Sequence, residues 1–167
     1  PEAPGIEVTG NNITVRDNKV SQPTGGDHDG LRFFGDNIKI LNNTISDVSA
    51  RGTGAHADCM QTFQSDTPAS KNVVIQGNRC ERVENMCLMA EGPGDKGDGG
   101  EGKGVSANWV FSNNYCDTHA SQALMIEAVQ NVTVRNNQIV GKVDKAFAFD
   151  IGSTGAKVSG NKLAPWI

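Results

Sequence analysis

The 167-residue chain has few aromatic residues, which make up 5% of it, and no excess of positive charge. Its formal net charge of −4 argues against a nucleic-acid partner, because phosphate binding relies on clustered Lys and Arg. No run of about 18 apolar residues is present, so the sequence has no candidate membrane span. No charged-then-apolar leader precedes the first residues, although a leader is a segment that processing removes. At this length we expect one domain over 1–167.

What the chain has instead is an Asn-centred pattern that recurs six times. Each unit is a short alternating strand, a bend at Asn and an apolar residue two places later. Asn tolerates the left-handed backbone of a sharp bend, and stacked Asn amides can bond along a ladder. Repeats of this length predict a solenoid whose coils stack about 4.8 Å apart. The ladder positions are Asn18, Asn43, Asn78, Asn114, Asn137 and Asn161.

A second family of strands, here called the groove sheet, follows the first five ladder Asn, usually after about ten residues and after a longer gap before Leu31 and before Met60. Alternation points one residue of two inward and the next outward. The predicted interior pairs are Leu31/Phe33, Met60/Thr62, Leu88/Ala90, Leu124/Ile126 and Phe147/Phe149. The outward residues form two columns, namely Arg32, Gln61, Met89, Met125 and Ala148, and Phe34, Phe63, Glu91, Glu127 and Asp150.

These repeats cover nearly the whole chain and resemble the right-handed parallel β-helix proteins of the pectate-lyase-like superfamily. The resemblance implies an all-β parallel β-helix of about six coils whose groove sheet and flanking loops bind a saccharide. The largest insertions, around 64–70 and 92–104, flank that sheet, where loops on a rigid scaffold usually carry function. The Gly-rich second insertion is either a lid or a tolerated surface loop. We expect a monomer with an acidic polysaccharide as partner, and uncapped ends indicate a piece of a longer chain.

The densest cluster of polar residues precedes the first two groove strands. Asp29 and Asp58 occupy equivalent positions in successive coils, and Arg32 stacks over Gln61. A lone His is more often structural, but a cluster beside the longest insertions indicates a site. The cluster consists of Asp27, His28, Asp29, Arg32, Arg51, His56, Asp58 and Gln61.

This cluster suits β-elimination from a uronic acid polymer, so a polysaccharide lyase is the predicted function. Arg32, with Gln61, would bind and neutralise the substrate carboxylate, because guanidinium forks match it. His56 would take the C5 proton, since imidazole titrates near neutral pH. Asp58 would orient that imidazole or pair with Arg51.

Further roles are assigned around this core of the site. His28 or Arg51 would assist the leaving group. Phe63 would stack on a sugar or cover the base of the inserted loop. His119, placed in the bend before Leu124, is a groove-edge candidate. The predicted substrate-binding residues are Gln61, Arg51, Asp29, Phe63 and His119.

Hydrolysis is the rival reaction. Asp29-Gly-Leu and Asp58-Cys-Met are similar to segments of polygalacturonases, which share this architecture. Hydrolysis requires a carboxylic acid and a carboxylate that flank the scissile bond. Here Ala57 stands where that family has the first Asp of its pair, and the family's Gly-His-Gly and Arg-Ile-Lys segments are missing. The sequence is also compatible with a mannuronan epimerase and with a non-catalytic carbohydrate-binding β-helix.

Three carboxylates follow one another along the second outward column, at Glu91, Glu127 and Asp150. Stacked about 4.8 Å apart, they would repel one another. Such an oxygen cluster suits Ca²⁺, and the resemblance implies calcium in pectate lyases, so these residues are a candidate metal site. The alternative is that they pair with Lys or Arg, and that the protein has no cofactor.

The four cysteines also fall into equivalent positions, Cys59 with Cys87 and Cys80 with Cys116. Equivalent positions in adjacent coils lie within the Cα separation that a disulfide tolerates. We therefore predict bridges Cys59–Cys87 and Cys80–Cys116, which imply secretion. The alternative is that the thiols are free and fill the core.

Overall fold

The computed structural model describes residues 4–24, 27–63, 69–93 and 104–167. The insertions predicted at 64–70 and 92–104 fall largely on 64–68 and 94–103, outside the described residues. Sixteen strands occupy the described ranges: β1 (Ile6–Thr9), β2 (Thr14–Arg16), β3 (Lys19–Ser21), β4 (Leu31–Phe34), β5 (Lys39–Leu41), β6 (Thr44–Val48), β7 (Met60–Thr62), β8 (Lys71–Gln76), β9 (Arg79–Val83), β10 (Leu88–Glu91), β11 (Ser106–Ser112), β12 (Tyr115–Glu127), β13 (Val129–Arg135), β14 (Gln138–Asp150), β15 (Lys157–Ser159) and β16 (Lys162–Leu163).

All paired strands run parallel, and they stack into three walls. The groove sheet contains β1, β4, β7, β10 and the C-terminal halves of β12 and β14. A second wall is the six-stranded sheet β2-β5-β8-β11-β13-β15. A third wall contains β3, β6, β9, the N-terminal halves of β12 and β14, and β16. The predicted all-β parallel β-helix is confirmed.

Alternation along the groove sheet places its interior as predicted. Leu31, Met60, Leu88 and Leu124 occupy one register column and are fully buried. Burial of a large apolar side chain contributes about 1.5–3 kcal/mol to folding, so each coil is stabilised mainly by its neighbours. Phe147 is only half-buried, because no described groove strand pairs with β14 on its outer edge.

Two strands are longer than the sequence predicts. The pattern indicates three short strands per coil, but β12 and β14 each run through the corner between the third wall and the groove sheet without a break. His119 therefore lies within β12, paired in register with Lys142, and the predicted bend before Leu124 is wrong. Eleven register pairs join β12 and β14, and this continuous pairing replaces the bend.

The ladder amides bond along the stack, as predicted. In each step the Nδ2 of one Asn donates to the Oδ1 of the next, at 2.9–3.2 Å. The same Oδ1 accepts the backbone N–H of the preceding Asn. From the second rung onward, each Nδ2 also donates to a backbone carbonyl. The ladder thus satisfies the polar backbone groups that the bend would otherwise bury unpaired.

The left-handed residue of this bend is not the ladder Asn but the residue before it. Its φ lies between 54° and 71° in all six coils. The ladder Asn stays out of the left-handed region because its side chain turns inward to bond, and the preceding position takes the turn. The left-handed column is Asp17, Asn42, Gly77, Asn113, Asn136 and Gly160.

A second Asn column, which the sequence analysis missed, lies at the corner before the second wall. Its members are left-handed and exposed, and neighbouring amides bond to each other, as Asn37 Nδ2 does to Asn12 Oδ1 at 2.9 Å. The signal was an Asn six residues before each of the first five ladder positions. The column is Asn12, Asn37, Asn72, Asn108 and Asn131.

The disulfide pairing differs from the prediction. Cys59–Cys80 and Cys87–Cys116 are the bridges, with Cα–Cα distances of 6.0 and 5.8 Å. Cys80 and Cys116 are register neighbours, as expected, but vertically adjacent side chains point in the same direction and do not face each other. A groove-sheet Cys instead faces the third-wall Cys about one coil later, and each bridge closes one coil across the interior.

The described part of the chain has no helix long and apolar enough to span a membrane.

Candidate functional site

The outward face of the groove sheet carries the predicted columns in register. Arg32 pairs with Gln61, and Gln61 with Met89. The side chain of Arg32 is 12% exposed, and Gln61 is 8% exposed. Gln61 Oε1 is buried with no hydrogen-bond partner in the described structure. Buried acceptors are normally paired, so this oxygen could gain a partner if the side chain turned toward a ligand at the face.

Arg32 is held by two carboxylates and an aromatic ring. Its Nε donates to Asp29 Oδ2 at 2.8 Å, and an Nη donates to Asp27 Oδ2 at 3.4 Å. Its guanidinium carbon lies 5.4 Å from the centroid of the Phe63 ring. Phe63 itself makes an edge-to-face contact with the buried Phe34, with ring centroids 5.1 Å apart. A cation fixed in this way presents its remaining N–H groups in a set direction.

Asp29 and Asp58 form a two-rung ladder at the entrance to the groove sheet. Asp29 Oδ1 accepts the backbone N–H of Asp58 at 2.9 Å, and Asp58 Oδ1 accepts that of Met86 at 2.8 Å. Both residues are buried, at 0% and 1% exposure. The predicted substrate contact of Asp29 and the predicted pairing of Asp58 with His56 or Arg51 do not fit this placement. Each carboxylate instead satisfies the backbone of the next coil.

Burial perturbs both carboxyl groups. Desolvation, with the nearby Asp29 charge as a further cause, raises the pKa of Asp58 to about 8. Desolvation also raises the pKa of Asp29, although the Asp58 amide and Arg32 oppose that rise. Two adjacent buried carboxylates that share one nearby guanidinium favour one proton on the pair near neutral pH, and Asp58 is the group that holds it.

His56 lies at the entrance edge of the groove sheet, on an open hollow of about 250 Å³. It is exposed, and its carbonyl accepts Asn85 Nδ2 at 2.6 Å. Glu84 and Asn85 line the same hollow. Sequence reasoning missed Glu84, although its place three residues before Cys87, just ahead of a groove strand, matches that of His56 before Cys59.

His28 joins this group from the preceding coil. Its Nδ1 lies 2.9 Å from the carbonyl oxygen of Ser49, so Nδ1 carries the proton and a neutral ring keeps a free lone pair on Nε2. The Ser49 hydroxyl donates to Glu84 Oε2, which also accepts the Ala50 N–H at 2.8 Å. These bonds, with a smaller effect of His28, hold the pKa of Glu84 below its usual value. Two histidines and one carboxylate thus share the edge.

The two remaining predicted residues are exposed. His119 lies in β12, with Nε2 3.7 Å from Asp117 Oδ1. Arg51 lies in a turn with a left-handed φ of 53°, and its backbone N–H donates to the Ser49 hydroxyl at 3.1 Å, beside Glu84. The structure therefore pairs Arg32 with Gln61 in register, places His56 and Glu84 on one hollow with Arg51 next to it, and leaves His119 away from them.

The acidic column is in register as predicted, since Glu91 pairs with Glu127 and Glu127 with Asp150. In the described ranges, however, no group of three or more His, Cys, Asp or Glu is arranged to hold a metal ion. Asp150 Oδ1 instead accepts the N–H of Ile151 at 2.8 Å. The three carboxylates do not fit the predicted Ca²⁺ centre, because register proximity does not make the side chains converge.

Comparison with known proteins addresses the fold. A family model described as a right-handed β-helix region matches residues 2–163. A comparison with curated protein sequences returns no match. Among solved structures, the chain is similar to a crystal structure from Parabacteroides merdae, provisionally assigned as a glycosyl hydrolase. The TM-score is 0.64 at 10% identity, over 96% of this chain and 77% of that one.

Proposed function

The chain belongs to the right-handed β-helix family, and on that premise we propose that it is a carbohydrate-active protein whose groove sheet binds an acidic polysaccharide. The observation that carries this proposal is Arg32, a nearly buried guanidinium on the groove face held by Asp29 and Phe63. Its N–H groups that are not used by Asp27 and Asp29 can donate to a substrate carboxylate. Gln61, one rung away, can accept a sugar hydroxyl through its unpartnered Oε1 once its side chain turns outward.

The finer proposal is cleavage by β-elimination. His56 takes the proton from C5 of a uronate unit, the C–H electrons form the C4–C5 double bond, and the bond from C4 to the glycosidic oxygen breaks. Arg32 stabilises the negative charge that develops on the carboxylate. The leaving oxygen takes its proton from water or from a doubly protonated His28, which carries an N–H at Nε2 while Nδ1–H stays bound to the Ser49 carbonyl. Glu84, beside His56 in the hollow, stabilises the imidazolium that forms.

The experiment is incubation with alginate, pectate and glucuronan, followed by ultraviolet absorbance of the unsaturated uronate. We expect absorbance to grow with the wild-type chain and to be abolished by His56→Ala without a change in circular dichroism. Arg32→Ala is expected to raise KM and lower kcat together. Binding without any product would show that the protein is a non-catalytic carbohydrate-binding β-helix. Failure to bind any of the three polymers would contradict the proposal as a whole.

Hydrolysis is the second candidate, favoured by the provisional assignment of the Parabacteroides merdae protein. It would release reducing ends without the unsaturated chromophore. The burial of Asp29 and Asp58 argues against these two as the carboxylates that flank the scissile bond. Glu84 would have to supply one of the two groups, so Glu84→Gln would abolish hydrolysis.

Secretion is part of the same proposal. Both disulfides lie in the interior, and such bridges persist in oxidising compartments. A polysaccharide substrate also lies outside the cell. Detection of the protein, with its bridges intact, in the extracellular fraction of its source would support secretion, and retention in the reducing cytosol would contradict it.

A further inference from the structure

A second hollow, of about 440 Å³, lies on the bend between the second and third walls. This bend is on the side of the coil away from the groove sheet, because the chain runs from the groove sheet through the second wall before reaching it. The hollow spans three coils. We infer that it is a second, non-catalytic glycan-binding site for an uncharged pyranose unit.

A glycine of the left-handed column lines one end of the hollow. Gly77 stands between Asn42 and Asn113 in that column and has a φ of 71°. A Cβ built there would lie 2.2 Å from Asn42 Oδ1, so the Asn42 amide already fills the place of a side chain on this coil. The hollow lies on the other side of Gly77 and is bordered by residues of the two coils that follow.

Exposed amides of the hollow differ from those at the opposite corner. There, Asn37 and its neighbours bond to one another along the stack. Asn113 and Asn136 have the same left-handed backbone and line the hollow with Gln138. The side-chain amides of these three residues make no hydrogen bond to one another or to other described residues. Each presents a donor and an acceptor, which together match the adjacent hydroxyls of a sugar ring.

An aromatic ring completes the site. Tyr115 is half-buried and lines the hollow. The Arg79 guanidinium carbon lies 4.1 Å from its ring centroid. Arg79 covers one face of the ring, and the face turned away from Arg79 is the flat apolar surface proposed for the C–H groups of a pyranose. A ring, three amides and a shallow hollow are therefore the recognition elements.

Charge decides the class of sugar. Arg79 is the charged residue among those that line the hollow. Its Nε already donates to Glu81 Oε1 at 2.6 Å. The charge of Arg79 is thus balanced by Glu81, and its guanidinium stacks on Tyr115. A sugar carboxylate in the hollow would gain little attraction from Arg79 and would face the like charge of Glu81. The hollow favours a neutral sugar, whereas Arg32 on the groove face suits an acidic one.

The test is an NMR titration that follows the side-chain amide signals of Asn113, Asn136 and Gln138. The probes are neutral hexasaccharides of glucan, mannan, xylan and galactan, with trigalacturonate as the acidic comparison. The double substitution Asn113→Gly with Asn136→Gly removes two amides without strain, because the chain carries glycine at two other positions of this column. Asn108→Gly at the opposite corner is the matched control, and Tyr115→Leu removes the flat ring.

We expect saturable shifts with at least one neutral hexasaccharide and a Kd about tenfold weaker in the double variant, as two lost hydrogen bonds imply. Tyr115→Leu should also weaken binding, and Asn108→Gly should not. His56→Ala should bind the neutral probe like wild type, which separates this site from the groove. No response to any neutral probe, equal loss in Asn108→Gly, or binding of trigalacturonate alone would overturn the inference.

Discussion

The carboxylate of Asp29 accepts the backbone N–H of Asp58 at 2.9 Å, while its other oxygen accepts Nε of Arg32 at 2.8 Å. One buried side chain thus joins the coil stack to the cation of the groove face. The sequence predicted that Asp29 binds substrate and that Asp58 orients the His56 imidazole or pairs with Arg51. The structure gives them a positioning role instead, and this role leads to the first two predictions.

Asp29→Asn should impair the binding of a substrate carboxylate by Arg32 more than it lowers the stability of the fold. The amide oxygen still accepts the Asp58 N–H, but the neutral group no longer balances the guanidinium. We expect kcat/KM on a uronan to fall about tenfold, by analogy with a lost charge-assisted hydrogen bond. Asp27→Asn is the control, because its contact with Arg32 is 3.4 Å long and the Asp27 side chain is 46% exposed, whereas Asp29 is fully buried. Equal effects of the two substitutions would contradict the role of Asp29.

Asp58→Asn should change the pH dependence of stability. Because burial raises the folded-state pKa to about 8, the folded protein keeps a proton that the unfolded chain loses near pH 4. The contribution of Asp58 to the free energy of unfolding is therefore fully present below about pH 4 and declines up to about pH 8. The amide carries no charge and still accepts the Met86 N–H. We expect the variant to gain about 1–3 kcal/mol over wild type between pH 5 and pH 8.

Urea unfolding at several pH values measures this difference. A constant gap between the two proteins across that pH range would mean that Asp58 does not carry the proton. Asp36→Asn is a control for general charge effects, because Asp36 is only half-buried and its carboxylate likewise accepts a backbone N–H, that of Lys71.

Asn78→Ala should be strongly destabilising. The Asn78 side chain is buried, donates to Ile40 O and Asn114 Oδ1, and accepts from Asn43. Its removal leaves the Asn43 N–H and the Ile40 carbonyl unpaired inside the bend. We expect a loss of about 2–4 kcal/mol in the free energy of unfolding. Asn72→Gly, in the exposed column, is expected to cost less than about 1 kcal/mol, and similar costs at both sites would contradict a buried role for the ladder.

Removal of one bridge should lower stability without a change of fold. Cys87→Ala with Cys116→Ala opens a link between residues 29 apart. For a loop of this length we expect a loss of about 3 kcal/mol. Peptide mapping under non-reducing conditions tests the pairing itself. Recovery of a Cys59–Cys87 peptide would show that the vertical pairing is the correct one.

Several features of this protein follow from local patterns. The Asn repeat predicts the coil, its register and the amide ladder, because a parallel stack forces equivalent residues into columns. Alternation predicts the interior of the groove sheet for the same reason. The second Asn column could have been found from its six-residue spacing. The continuous strands β12 and β14 could not have been found from the sequence, because a bend and a smooth corner differ in backbone pairing rather than in residue pattern.

Residue order therefore determined which side chains share a column, since the recurring Asn-centred unit leaves one way to align the coils even where loops lengthen them to 35 or 36 residues. It did not determine which side chains face each other. Cys59 bonds to Cys80 across the interior, Asp29 turns inward to a backbone amide, and His56 lines a hollow with Glu84 and does not pair with Asp58. Such contacts depend on how the walls converge at the corners and on which polar groups burial leaves to be satisfied, and those are properties of the assembled stack.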